Sequence, residues 1–109
     1  MKEETQGHTT TIQDTQADLA AFVARLTQEY PSMEKRNIIV DLLRHENLSP
    51  KQINALLPLS KTHKKFKKSF VIVANVDYNS VSQQLVVVPT LPEANDIIEM
   101  EEMERDLGF

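Results

Sequence analysis

The sequence predicts one α/β domain with a mostly parallel sheet, because apolar strand-like runs alternate with amphipathic helical segments along the 109 residues. Residues 37–42, 69–74 and 85–89 have the continuous apolar character of strands buried on both faces. Residues 8–13 are rich in threonine and predict a short edge strand. We expect residues 1–7 to be disordered and residues 8–109 to form a single domain with an acidic C-terminal helix.

The first two helices have recognisable ends. Apolar residues at helical spacing follow Thr15, a candidate N-cap, and Pro31 ends this first helix. Ser49 and Gln52 form a capping box, with a proline at the first helical position, which predicts a second helix from Ser49 onward. Pro58 lies inside that pattern and predicts a kink.

The third helix begins at Thr90 and has apolar residues on two opposite faces at different heights. Its first face consists of Leu91, Ala94, Ile97 and Ile98. The opposite face and the chain end form a candidate tail contact, consisting of Met100, Met103, Leu107 and Phe109. These residues either pack back on the domain or serve a helix-in-groove or self-association contact.

Composition argues against several classes of function. The chain has no cysteine and only three histidines, far apart in sequence, so we expect no metal, no cofactor and no catalytic residues. A net charge of −4 and a pI near 5.3 argue against a nucleic-acid-binding module. There is neither a signal-peptide pattern nor an apolar run long enough for a membrane helix, so a cytoplasmic location without membrane contact is expected.

The central segment resembles a known family. Asn-Ile-Ile-Val-Asp-Leu at 37–42, then six residues, then Ser-Pro-Lys-Gln-Ile-Asn-Ala-Leu-Leu at 49–57 is similar, without a gap, to the strand, loop and helix of STAS domains, the sulfate-transporter and anti-sigma-factor-antagonist domains. The resemblance implies a STAS-like sandwich with a mostly parallel four-stranded sheet and about three helices. It also implies a non-catalytic regulatory module that binds another protein, as anti-sigma-factor antagonists do.

The resemblance also implies which residues meet the partner. We call them the Ser49 surface: Asp41, Arg44, Ser49, Pro50, Lys51, Gln52 and Asn54. The chain departs from the family where its phosphorylatable serine aligns with Pro50, which has no hydroxyl. We therefore expect the family's phosphorylation switch to be lost, unless Ser49 accepts the phosphate one position early.

The end of the chain gives an alternative. Residues 97–109 resemble short bacterial chains labelled ribonuclease Z, but that nuclease needs a His-x-His-x-Asp-His metal cluster, which this sequence lacks. The alternative function is therefore an accessory protein associated with RNA processing, without nuclease activity of its own.

A run of lysines follows the second helix. This lysine patch consists of Lys61, Lys64, Lys65, Lys67 and Lys68. It predicts either a solvated helix end or a docking site for an acidic partner or RNA, with Phe66 as a core anchor or a base-stacking residue. The sequence as a whole favours a protein partner over RNA, and a monomer or weak dimer.

Overall fold

The computed structural model describes residues 1–108, which form a five-stranded sheet with its strands in sequence order. The strands are β1 (Lys2–Gln6), β2 (Thr9–Gln13), β3 (Asn37–Asp41), β4 (Phe70–Val73) and β5 (Val86–Val88). β1 pairs with β2 antiparallel, whereas the three other pairings are parallel. The predicted α/β class is confirmed, but the sheet is mixed and has five strands where four were predicted.

The additional strand is β1, in the segment that was predicted to be disordered. All five of its residues are exposed and none is apolar, so the sequence lacks the alternation by which a strand is recognised. Backbone pairing with β2 holds it, and Gly7 makes the connecting turn with a positive φ of 59°. The predicted edge strand, β2, is consequently an inner strand.

The described residues contain two short 3₁₀ helices, Tyr30–Ser32 and Tyr78–Ser80, and three α-helical regions. The α-helical regions are α1 (Leu19–Glu29), the pair α2 (Pro50–Asn54) and α3 (Leu57–Lys65), and α4 (Leu91–Asp106). The kink predicted at Pro58 is observed as an interruption just before it: residues 55–56 separate α2 from α3, and Pro58 lies in the first turn of α3. The N-cap of α1 is Asp18 and not Thr15, because Ala17 has a left-handed φ of 57° and helical backbone starts only beyond it.

The helices divide between the two faces of the sheet. Right-handed crossovers between successive parallel strands bring α1, α2 and α3 to one face, where the larger core forms around Leu26, Ile38 and Ile72. α4 packs alone on the opposite face, through Ala94 and Ile98. No helix within residues 1–108 is long and apolar enough to cross a membrane.

Candidate functional site

The Ser49 surface lies at the edge of the sheet where the parallel strands end. β3 ends at Asp41, the loop 42–48 follows, and α2 begins after Ser49. In open α/β sheets, ligands bind outside the carboxyl ends of the strands at the point where the strand order reverses. Within residues 1–108, strands β2 to β5 run in sequence order without such a reversal, so this position does not by itself indicate a binding site, and the role of these residues stays a prediction.

The start of α2 is fixed by a complete capping box. The Ser49 hydroxyl accepts a hydrogen bond from the Gln52 amide at 3.2 Å, and the Gln52 side-chain oxygen accepts from the Ser49 amide at 2.9 Å. Leu48 before the cap and Ile53 after it are buried. These contacts hold the backbone at the helix start in one conformation.

Two predicted members of the surface have internal roles. Asp41 is only 7% exposed, and its carboxylate accepts from the Leu43 amide at 3.0 Å. The side-chain oxygen of Asn54 accepts from the Ser82 amide at 3.0 Å and so ties α2 to the link between β4 and β5. These two residues support the surface from beneath.

The outer part of the surface carries two exposed cations, one exposed carboxylate, Glu46, and apolar area. Arg44 and Lys51 are exposed, and no hydrogen bond or ion pair of either side chain is found within residues 1–108. Leu43, next to Arg44, is 43% exposed although it is a large apolar residue. Pro50 is half-buried at the first position of α2.

An apolar groove adjoins this surface. It has a volume of ≈ 320 Å³ and runs between α1 and α2, lined by Leu19, Ala20, Val23, Gln52 and Ala55. Lys51 lies one helical turn before Ala55, so both are on the same side of α2. The groove thus has a cationic residue at its border.

A buried pair that sequence reasoning missed anchors the loop 42–48. His45 Nε2 donates to the Asp14 carboxylate at 2.7 Å, and their side chains are only 8% and 4% exposed. Asp14 directly follows β2 and His45 follows β3, so the ends of two neighbouring strands bring together residues 31 positions apart. The sequence does show that each residue follows a strand. Only the strand order shows that these two strands are neighbours and that the two side chains meet.

The contact joins the end of β2 to the loop that carries Arg44. Within residues 1–108, His45 has no hydrogen bond to a serine or threonine hydroxyl. No group of three or more metal-ligating side chains comes together in the same range.

A second buried histidine lies at the opposite edge of the sheet. The Tyr30 hydroxyl donates to His63 Nδ1 at 2.6 Å, and His63 Nε2 donates to the Arg36 carbonyl at 2.7 Å, because a carbonyl only accepts. Burial lowers the pKa of His63, and burial with the nearby Glu34 raises the pKa of Tyr30 to about 12. Both groups are thus neutral near pH 7, and their role is to stabilise the core.

The lysine patch borders this edge. Lys61, Lys64, Lys65 and Lys67 are exposed and Lys68 is half-buried. The Lys64 ammonium also donates to the Gln84 carbonyl at 2.9 Å. Phe66 is 43% exposed, and its ring centroid lies 6.5 Å from that of Tyr30, so it is neither buried nor fully free of the core. The patch thus presents four exposed lysines and one partly exposed aromatic ring.

Polar contacts also hold the end of α4. The Ser69 hydroxyl donates to Glu101 and accepts from Arg105 at 3.2 Å, and Arg105 also donates to the Asn37 side-chain oxygen at 3.3 Å. The predicted inward face of α4 is confirmed by the burial of Ala94 and Ile98. Met100, Met103 and Leu107 do not pack on the domain, and Phe109, the last predicted tail residue, lies outside the described residues.

The chain matches no protein-family model, and no curated protein matches it at a significant level.

Proposed function

We propose that this protein is a non-catalytic, STAS-like regulatory module that binds another protein through the Ser49 surface. The observation that carries the proposal is a rigid helix start with exposed cations beside an apolar groove. A surface held by a capping box, the buried Asp14–His45 hydrogen bond and buried leucine and isoleucine loses little conformational entropy on binding.

The chemistry of the surface indicates the kind of partner. Arg44 and Lys51 favour carboxylates, whereas Leu43 and the groove beside Gln52 favour an apolar anchor. A complementary partner segment therefore carries one or two large apolar side chains flanked by aspartate or glutamate. Asp41 and Asn54 act indirectly, by holding the loop and α2 in position.

Binding is not switched by phosphorylation in this proposal. Pro50 has no acceptor group, and the Ser49 hydroxyl already accepts from the amide of Gln52. Ser49→Asp keeps a good N-cap and adds negative charge, so we expect it to retain helix stability. Because the added carboxylate also repels an acidic partner, only phosphate found on Ser49 of the native protein by mass spectrometry would point instead to a phosphorylation switch.

Affinity capture tests the proposal. Wild type, Lys51→Glu and Lys35→Glu are immobilised and incubated with native extract of the source cells, and captured proteins are quantified by mass spectrometry. Lys35 is exposed before β3, at the other edge of the sheet. Lys35→Glu therefore makes the same change in net charge as Lys51→Glu, but away from the Ser49 surface. A partner that binds wild type and Lys35→Glu but is lost on Lys51→Glu supports the Ser49 surface. A partner unaffected by Lys51→Glu would contradict it.

The second candidate is an accessory role in RNA processing through the lysine patch. It is supported by the exposure of Lys61, Lys65 and Lys67 around the half-exposed ring of Phe66, an arrangement suited to single-stranded RNA. Replacing these three lysines by alanine should weaken RNA binding and reduce its salt dependence by about 0.7 in the log–log slope per lost phosphate contact. Absence of RNA binding by wild type at low salt would rule out this candidate.

A further inference from the structure

α4 exposes an apolar stripe that the fold does not use. Measured from the buried Ile98, Met100, Met103 and Leu107 lie at about 200°, 140° and 180° around the helix, directly away from the sheet. Their side chains are 59%, 62% and 72% exposed. We call these three residues the α4 stripe.

The spacing of the stripe is that of a helix–helix seam. Met100, Met103 and Leu107 are separated by three and then four residues, which is the alternation of core positions in a coiled coil. Asp96 occupies the preceding core position and ends the apolar seam there. The stripe is therefore about 11 Å long, which suits one short helix and not an extended coiled coil.

Carboxylates border the stripe on both sides. Glu99 and Asp106 flank it on one side and Glu104 on the other, and all three are exposed. The basic residue of α4, Arg105, points back to Ser69 and Asn37 and does not offset this charge at the seam. The exposed face is thus apolar along its centre and negative at its borders.

We propose that the α4 stripe binds an amphipathic helix of another protein, whose own apolar stripe is flanked by lysine or arginine. Charge decides the occupant. A second copy of α4 would bring glutamate and aspartate against each other in either orientation, whereas a basic helix pairs with them. Methionine side chains adapt to the shape of an apolar partner, which suits such a site.

This surface is separate from the Ser49 surface, because α4 and α2 pack on opposite faces of the sheet. The two sites can therefore be tested independently. The stripe is small, so its affinity should be that of a transient contact, with a Kd on the order of 100 µM.

The test uses the full chain and designed peptides of about three heptads. Two peptides share the same leucine core positions, one with lysine and one with glutamate at the flanking positions, and a third has the lysine peptide's composition in scrambled order. Binding is followed by two-dimensional NMR of the labelled protein. We expect the lysine peptide alone to bind and to shift the amide signals of α4.

Two sets of variants separate apolar docking from general attraction to an acidic protein. Met103→Ser preserves every charge and should weaken binding of the lysine peptide at least tenfold. The double substitution Glu99→Lys with Glu104→Lys should reverse the selectivity, so that this variant binds the glutamate peptide more tightly than the lysine peptide. Its control, Glu3→Lys with Glu4→Lys on the exposed strand β1, makes the same change in net charge and should leave binding intact.

Four results would overturn the proposal. They are failure of the lysine peptide to bind, equal binding of the scrambled peptide, unchanged binding by Met103→Ser, and a wild-type dimer that Met103→Ser dissociates. The last would assign the stripe to a second copy of this chain.

Discussion

The two edges of the sheet use polar residues in opposite ways. At the amino edge of the parallel strands, Tyr30, His63 and Ser69 are buried and hydrogen-bonded: Tyr30 and His63 pair with each other and with a backbone carbonyl, and the Ser69 hydroxyl pairs with side chains of α4. At the carboxyl edge, a buried pair supports a loop whose outer cations, Arg44 and Lys51, face solvent. Polar substitutions should therefore reduce stability at the amino edge and partner binding at the carboxyl edge.

The largest loss of stability is expected for His63→Ala. It removes a fully buried ring between Tyr30 and Phe70 and leaves the Tyr30 hydroxyl and the Arg36 carbonyl without partners. We expect the free energy of unfolding to fall by about 4 kcal/mol, measured by urea denaturation. His8→Ala, at an exposed position, is the control and should cost less than about 0.5 kcal/mol. A similar small cost at His63 would mean that this edge does not depend on the buried histidine.

The same histidine predicts an acid dependence. Because burial lowers the pKa of His63 in the folded protein, the unfolded chain binds the proton more readily below the ordinary pKa of about 6.5. The contribution of neutral His63 to the free energy of unfolding is therefore complete above about pH 6.5, and it is lost as the pH falls toward the lowered pKa of the folded protein. His63→Phe should flatten this part of the curve of unfolding free energy against pH. An unchanged slope in His63→Phe would assign the acid sensitivity to other groups.

A smaller loss is expected at the carboxyl edge for Asp14→Asn. The substitution removes the carboxylate that accepts from buried His45, so unfolding free energy should fall by about 2 kcal/mol. Amides of the loop 42–48 should exchange faster with solvent hydrogen. Asp18→Asn is the matched control, because asparagine caps a helix as well as aspartate does. Equal protection of the loop in both variants would show that the pair does not anchor it.

Ser49→Ala should have a still smaller effect. It deletes the hydroxyl that accepts from the Gln52 amide, which is expected to cost about 1 kcal/mol. Ser49→Asp should restore most of this loss in the same denaturation experiment. If Ser49→Ala leaves both stability and loop protection unchanged, the capping box is not what holds the start of α2.

Local sequence signals predicted most of the fold. Caps and apolar runs are properties of adjacent residues, so β3, β4, β5, α4 and the Ser49 capping box could be located directly. β1 was missed because its five polar residues are held by backbone pairing and not by burial. Thr15 was chosen over Asp18 because the left-handed turn at Ala17 leaves no clear trace in the sequence.

The candidate site was only partly predictable for the same reason. The exposed cations of the Ser49 surface lie within one short stretch of sequence, so they could be located from that stretch alone. The Asp14–His45 and Tyr30–His63 contacts join residues 31 and 33 positions apart, and nothing in either neighbourhood specifies its distant partner. The internal roles of Asp41 and Asn54 likewise depend on backbone amides that only the fold brings near.

Site-specific cross-linking tests the central claim, that the Ser49 surface binds a protein partner, most directly. A photo-reactive amino acid is placed at position 55, which is exposed and lines the groove beside Lys51, and, as a control, at position 35 of the other edge, and both proteins are irradiated in native extract. We expect one protein to cross-link at position 55 and not at position 35, and excess wild type to compete where excess Lys51→Glu does not. Cross-linking of the same proteins from both positions, or equal competition by Lys51→Glu, would contradict the claim.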